Sequence, residues 1–142
     1  MSDSSFAIIE YATLPVVDRG TGVTTRTLVH KGIGSEHLTN GITRFDPGSQ
    51  VAMHFHNCDE SVVVIEGEAI FDVDGQTFTM KAFDATLVRA GTPHRFTNRT
   101  DKPVAIFWTY ATSYVTRTFS ESGVTVEIGS ANDRAGGAKA PA

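Results

Sequence analysis

The chain has 142 residues, 40% of them hydrophobic, which is enough for the core of one domain and too little for a membrane protein. A formal net charge of −4, with no run of Lys or Arg, argues against nucleic acid or an anionic membrane as the main partner. The single cysteine, Cys58, excludes an intrachain disulfide and a zinc site built from cysteines alone.

The start, Met1 to Ser5, is polar and lacks the basic and apolar regions of a secretory signal. The longest apolar runs, residues 62–65 and 105–108, are far too short to cross a bilayer, so a cytoplasmic protein is expected. Turn signals recur at short intervals: Asn40-Gly41, Asp46-Pro47-Gly48, Asn57-Cys58-Asp59, Glu66-Gly67, Asp74-Gly75, Ala90-Gly91-Thr92-Pro93 and Thr100-Asp101-Lys102-Pro103. Between them lie stretches rich in Val, Ile, Thr and Phe, and no long stretch keeps a helical apolar period. That rhythm predicts an all-β sandwich or barrel with little helix, as a single domain over residues 1–130. Residues 131–142 lack apolar periodicity and read as a disordered tail.

In chain order, Pro47-Gly48 turns into a strand expected over residues 51–56. Strand side chains alternate faces, so His54 and His56 point the same way. Asn57-Cys58-Asp59 is a short polar turn, and Glu60 starts the strand that returns beside the histidines. Two imidazoles and a carboxylate from one hairpin can converge on a transition metal at about 2.0–2.2 Å per ligand. Asp74-Gly75 suits a two-residue turn that pairs Val73 with Gln76, Phe71 with Phe78 and Ala69 with Met80. That register puts apolar residues together on one face. The run from Val104 to Tyr110 is apolar on both faces, as expected of a strand buried on both sides.

The spacing Gly48-x5-His54-x-His56-x3-Glu60-x6-Gly67 resembles the first motif of the cupin superfamily. Asp84, Gly91, His94 and Asn98 match its second motif, with Phe83 where Gly is usual and Arg89 where Pro is usual. The resemblance implies a double-stranded β-helix, a jelly-roll barrel, with the metal inside. It implies His54, His56, Glu60 and His94 as ligands of one divalent transition metal, iron first, with Mn, Ni, Cu or Zn as alternatives. One or two coordination positions would remain for water, O2 or a small-molecule substrate, and a homodimer is the expected assembly.

Other residues carry weaker expectations. His30 and His37 match neither motif and read as surface or loop residues. Cys58 reads as an outward turn residue rather than a reactive thiol, and Asn98 as structural. Phe96 shares parity with His94 and is the best candidate for a pocket wall, ahead of Trp108, Tyr110 and Phe71. Arg44, Arg95 and Tyr114 are substrate-anchoring candidates by chemistry alone. Three functions fit: an oxygenase, a non-redox metal-dependent isomerase, lyase or cyclase, and a non-catalytic binding module. Non-redox catalysis needs an acid or base besides the ligands, for which Tyr110, Glu68 and water offer themselves, so a dioxygenase, which needs fewer protein groups, is favoured.

Overall fold

The structure, a computed structural model, describes residues 5–139. Among them are twelve strands: β1 Val17–Gly20, β2 Val23–Val29, β3 Thr39–Phe45, β4 His54–His56, β5 Glu60–Glu66, β6 Glu68–Val73, β7 Gln76–Lys81, β8 Ala85–Val88, β9 His94–Thr97, β10 Val104–Tyr110, β11 Thr116–Phe119 and β12 Thr125–Glu127. The only helical elements described are two 3-10 turns, Tyr11–Thr13 and Lys31–Ile33. No helix is long and apolar enough to cross a membrane among the described residues.

The strands form two six-stranded antiparallel sheets, in the orders β1-β2-β3-β10-β5-β8 and β12-β11-β4-β9-β6-β7. Their inner faces enclose one core, in which Val64, Ala69, Phe71, Phe96 and Val104 are buried. This is the jelly-roll barrel expected.

The Asp74-Gly75 hairpin has the predicted register throughout β6 and β7. Both turn residues have positive φ, 49° and 78°, which matches the twist of the strands they join. One partner departs from the apolar pattern. Phe78 is 48% exposed, because β7 is an edge strand with only one neighbour. The strand β10 lies between β3 and β5, and its Val104, Ile106, Trp108 and Tyr110 are all buried.

Three expectations need correction. Asn40-Gly41 is not a turn but lies within the first half of β3, where Gly41 pairs with Trp108. A Cβ on Gly41 would come 2.5 Å from Cζ2 of Trp108, so the glycine makes room for the indole. The strand expected over residues 51–56 is regular only at His54–His56. Upstream, the Ala52 N–H instead donates to the Ala135 carbonyl at 2.7 Å. That bond belongs to the third correction. Residues 131–139, expected as a disordered tail, pack against the barrel, with Asp133 and Ala135 buried. Ala135 donates to the Arg19 carbonyl at 3.0 Å, and the Asp133 carboxylate pairs with two buried arginines. Charge pairing and backbone bonds hold this segment, so it needs no apolar period. Residues 140–142 lie outside the described residues.

The departure at Phe83 has a backbone consequence. Phe83 has φ 75°, in the left-handed region, and its side chain is 80% exposed. A non-glycine residue there costs about 1–2 kcal/mol, part of which glycine gives back as unfolded-chain entropy. Phe83→Gly is therefore expected to raise stability by about 1 kcal/mol in urea denaturation. An unchanged or lower midpoint would mean that the ring makes contacts worth more than the strain.

Candidate metal centre

Strand pairing brings the motif residues together. His54 on β4 lies directly opposite His94 on β9. Paired residues on adjacent strands share a face, so both rings enter the barrel, and His56 follows two residues on. Glu60 does not arrive as the second arm of the same hairpin. The turn at residues 57–59 crosses between sheets, because β4 pairs with β9 and β11 while β5 pairs with β10 and β8. Glu60 therefore reaches the histidines from the opposite sheet.

The ring centroids are 4.9 Å apart for His54 and His56, 4.5 Å for His54 and His94, and 5.4 Å for His56 and His94. One nitrogen from each ring lies within 4.8 Å of the others, close to the span of donors around a single ion. Each Nδ1 faces a backbone carbonyl: Ala52 at 2.7 Å, Thr116 at 2.9 Å and Thr92 at 2.8 Å for His54, His56 and His94 respectively. A carbonyl only accepts, so every Nδ1 carries its proton and every neutral ring presents a bare Nε2. Nε2 of His56 is buried without a hydrogen-bond partner. Nε2 of His94 meets Oε1 of Glu60 at 2.9 Å, and Oε2 of Glu60 is 3.8 Å from Nε2 of His56. Two acceptors at 2.9 Å require a proton or a cation between them. Buried lone pairs fixed by carbonyl partners, beside a carboxylate, suit a divalent transition metal.

The electrostatics agree. Burial, together with Arg117 and the other imidazoles, drives His54 well below its usual value. Burial brings His56 down to about 4, against the opposing pull of Glu60. Burial pushes the Glu60 carboxyl up, but His94 and His56 outweigh it, and the group titrates below the usual carboxylate range. Two of the imidazoles thus stay neutral, as ligands must, well into acid.

These shifts set a pH dependence. Between about pH 6.5 and 4 the unfolded chain protonates His56 and the folded protein does not. Stability of the metal-free protein is therefore complete above that window and falls by roughly 3 kcal/mol on crossing it, with His54 adding in the same direction. The depressed Glu60 has the same sign. Denaturant titrations in chelator between pH 7.5 and pH 4 measure this, and a flat profile would contradict buried neutral imidazoles.

A cavity of about 290 Å³ opens beside the centre, inside the barrel, and His54, Glu60 and His94 line it. Phe96, Trp108 and Tyr110 form walls as well as core, whereas Phe71 lies outside the wall and packs on Phe96 at 4.5 Å. Tyr110 pairs across strands with Glu60, and its ring sits 4.6 Å from that of His56. Burial and then the Glu60 charge raise its phenol well above the usual value, so it keeps its proton and can offer it in a hydrogen bond. Glu68, the other acid-base candidate, is exposed on β6 and lines no part of the cavity.

The anchoring candidates are elsewhere. Arg44 pairs with Glu66 on the surface, Arg95 pairs with Asp72 across β6 and β9, and Tyr114 is exposed beside Lys31. His30 is a loop residue, yet it lines the cavity; His37 is exposed. Cys58 does not face outward but packs partly on the core, and burial raises its thiol, so it is no reactive thiolate. Asn98 is structural: it is fully buried, donates to the Phe45 and Lys102 carbonyls, and accepts from Thr100. Sequence reasoning missed Arg19 and Arg117, both buried in the cavity wall. The available signal was the alternation Val115, Arg117, Phe119, which puts an arginine on the inward face of a strand.

The cupin domain model matches residues 41–110, which include both motifs. The chain is 31% identical over 71 residues to the polyketide synthase CurC of Streptomyces cyaneus, covering 49% of this chain and 46% of CurC. It is 26% identical over 84 residues to the HTH-type transcriptional regulator PuuR of Escherichia coli, covering 58% of this chain and 45% of PuuR. The chain thus spans about half the length of the curated relatives it matches. Among solved structures, the polyketide cyclase RemF of Streptomyces resistomycificus superposes with a TM-score of 0.69 at 15% identity, over 90% of this chain and 89% of RemF. With both motifs inside the matched domain and the same barrel around them, the chain belongs to the cupin superfamily.

Proposed function

We propose that His54, His56, Glu60 and His94 hold one divalent transition metal, and that the protein is an enzyme using it for non-redox chemistry on a small organic molecule. One observation carries the reading: three Nδ1–H groups bound to carbonyls aim three Nε2 lone pairs into a common space, where Glu60 meets one at 2.9 Å. Bound there, a divalent ion supplies Lewis acidity toward an oxygen of the substrate. The chain's own residues do the rest. The carbonyls of Ala52, Thr116 and Thr92 fix ring orientation, and Phe96, Trp108 and the other apolar walls limit water. Tyr110, protonated and beside Glu60, is placed to donate to negative charge developing on a substrate oxygen.

Tyr110 alters the balance between redox and non-redox chemistry. Of the acid-base candidates in the sequence, Tyr110 lines the cavity beside Glu60 and Glu68 does not, which supports non-redox chemistry. A dioxygenase remains the second reading, since three imidazoles and a carboxylate also suit Fe(II) with open positions. The partial likeness to CurC and the fold shared with RemF put ring closure among the reactions to assay. The deciding experiment loads the protein separately with Zn, Mn, Ni and Fe(II). It follows solvent deuterium exchange at carbon acids next to a carbonyl, and O2 uptake with diketones, thiols and phenols. Exchange by the redox-inert Zn form supports the proposal. O2 uptake confined to the Fe(II) form, without exchange by any form, overturns it in favour of the oxygenase.

A further inference from the structure

The cavity wall also holds a charge arrangement that metal binding alone does not use. Arg19 on β1 and Arg117 on β11 are 7% and 6% exposed, and both line the cavity. Arg117 pairs across strands with His56, so the two side chains share the inward face. Among the described residues, Asp133 is the only carboxylate in ion-pair contact with either arginine. Its Oδ1 accepts from Nη2 of Arg19 at 3.2 Å and from Nη1 of Arg117. Its Oδ2 turns away to the Gly129 N–H at 3.0 Å.

Two guanidiniums against one carboxylate leave a formal charge of +1 in a buried place. The strain shows in Arg19, whose pKa falls to about 10, from burial first and then the neighbouring Arg117 charge. Nε of Arg117 is buried and has no hydrogen-bond partner. Of the other wall charges, Lys31 and Glu127 pair with each other, and Glu60 attracts Arg117 without an ion-pair contact while it bonds His94. A divalent ion beside Glu60 would add a further formal +1. An unpaired buried charge is costly unless an anion joins it. The same cavity is lined by Val62, Ile106 and Trp108, which carry no charge.

We propose that Arg19 and Arg117 form an anion subsite of the cavity, and that the substrate is a small organic carboxylate with an apolar body. This deepens the metal-enzyme reading and rests on it for the part of the ligand that meets the metal. Arginine's planar fork suits a carboxylate, and a charge-assisted bond made in a dry pocket discriminates strongly against a neutral isostere.

The test uses Trp108, the only tryptophan in the chain and part of the cavity wall, as a fluorescent reporter. Metal content is measured first. The protein, metal-loaded and chelator-treated, is then titrated with benzoate and with its neutral isostere benzamide. Benzoate is expected to bind at least about tenfold more tightly than benzamide in both forms. That preference should largely disappear in Arg19→Gln and Arg117→Gln, with far-UV circular dichroism reporting their folding. The chelator-treated wild type needs no substitution and keeps the test valid if a variant does not fold. Equal affinity for the two ligands overturns the proposal, as does a preference that needs metal or survives both substitutions. Absence of bound metal with the benzoate preference intact would sink the metal reading and leave the anion subsite standing. Bound metal without the preference would do the reverse.

Discussion

His56→Ala is expected to abolish stoichiometric binding of a divalent metal while the far-UV spectrum remains that of a β protein. The substitution removes one of three buried nitrogen donors and leaves two rings and a carboxylate on opposite sheets. Losing an outer partner of a ligand typically costs 10–100-fold in affinity, and losing a ligand itself should cost more. The protein should survive, although the Thr116 carbonyl loses its partner at about 1–3 kcal/mol, because the barrel ladders do not run through the ring. Elemental analysis after dialysis, compared with wild type, reads the outcome. A full complement of metal in the variant would remove His56 from the ligand set.

Asp133→Ala should be the most destabilising single change outside the core, by about 3–5 kcal/mol, the usual penalty for stranding buried charge. The carboxylate takes bonds from Arg19, Arg117 and the Gly129 N–H, and both guanidiniums are buried. Removing it leaves two like charges facing each other and frees the segment whose Ala135 bonds to Ala52 and Arg19. Hydrogen exchange should therefore quicken at the Ala52 and Ala135 amides well before it does in β10. Urea denaturation gives the magnitude. A loss under about 1 kcal/mol would show that solvent enters and hydrates the arginines, contrary to their burial.

What the sequence disclosed was local. The Asp74-Gly75 register follows from turn chemistry over a few residues, and the pairing of His54 with His56 follows from alternation along one strand. Even the Phe83 departure from the motif pointed to a real feature, a left-handed backbone with no glycine to occupy it. What stayed hidden depends on contacts distant in sequence. The crossing of residues 57–59 from one sheet to the other is invisible in a pattern that also fits a plain hairpin. The burial of Arg19 and Arg117 depends on a carboxylate at residue 133, which no local pattern around either arginine announces. That carboxylate sits in a Gly- and Ala-rich stretch with no period to notice. Ala135 is fully buried yet gives no hydrophobic signal of its own.

The lateness of Asp133 in the chain bears on how the protein reaches its native state. During vectorial synthesis Arg19 is made early and Arg117 much later, and neither meets its carboxylate until residue 133 has emerged. Until then a nascent barrel carries two cationic groups that resist desolvation, which favours an open, hydrated interior. Closure spans a sequence separation of 114 residues between Arg19 and Asp133, a long loop of the sort that slows folding. Docking of the segment around Asp133 is thus the step that lets both arginines be buried in the barrel wall.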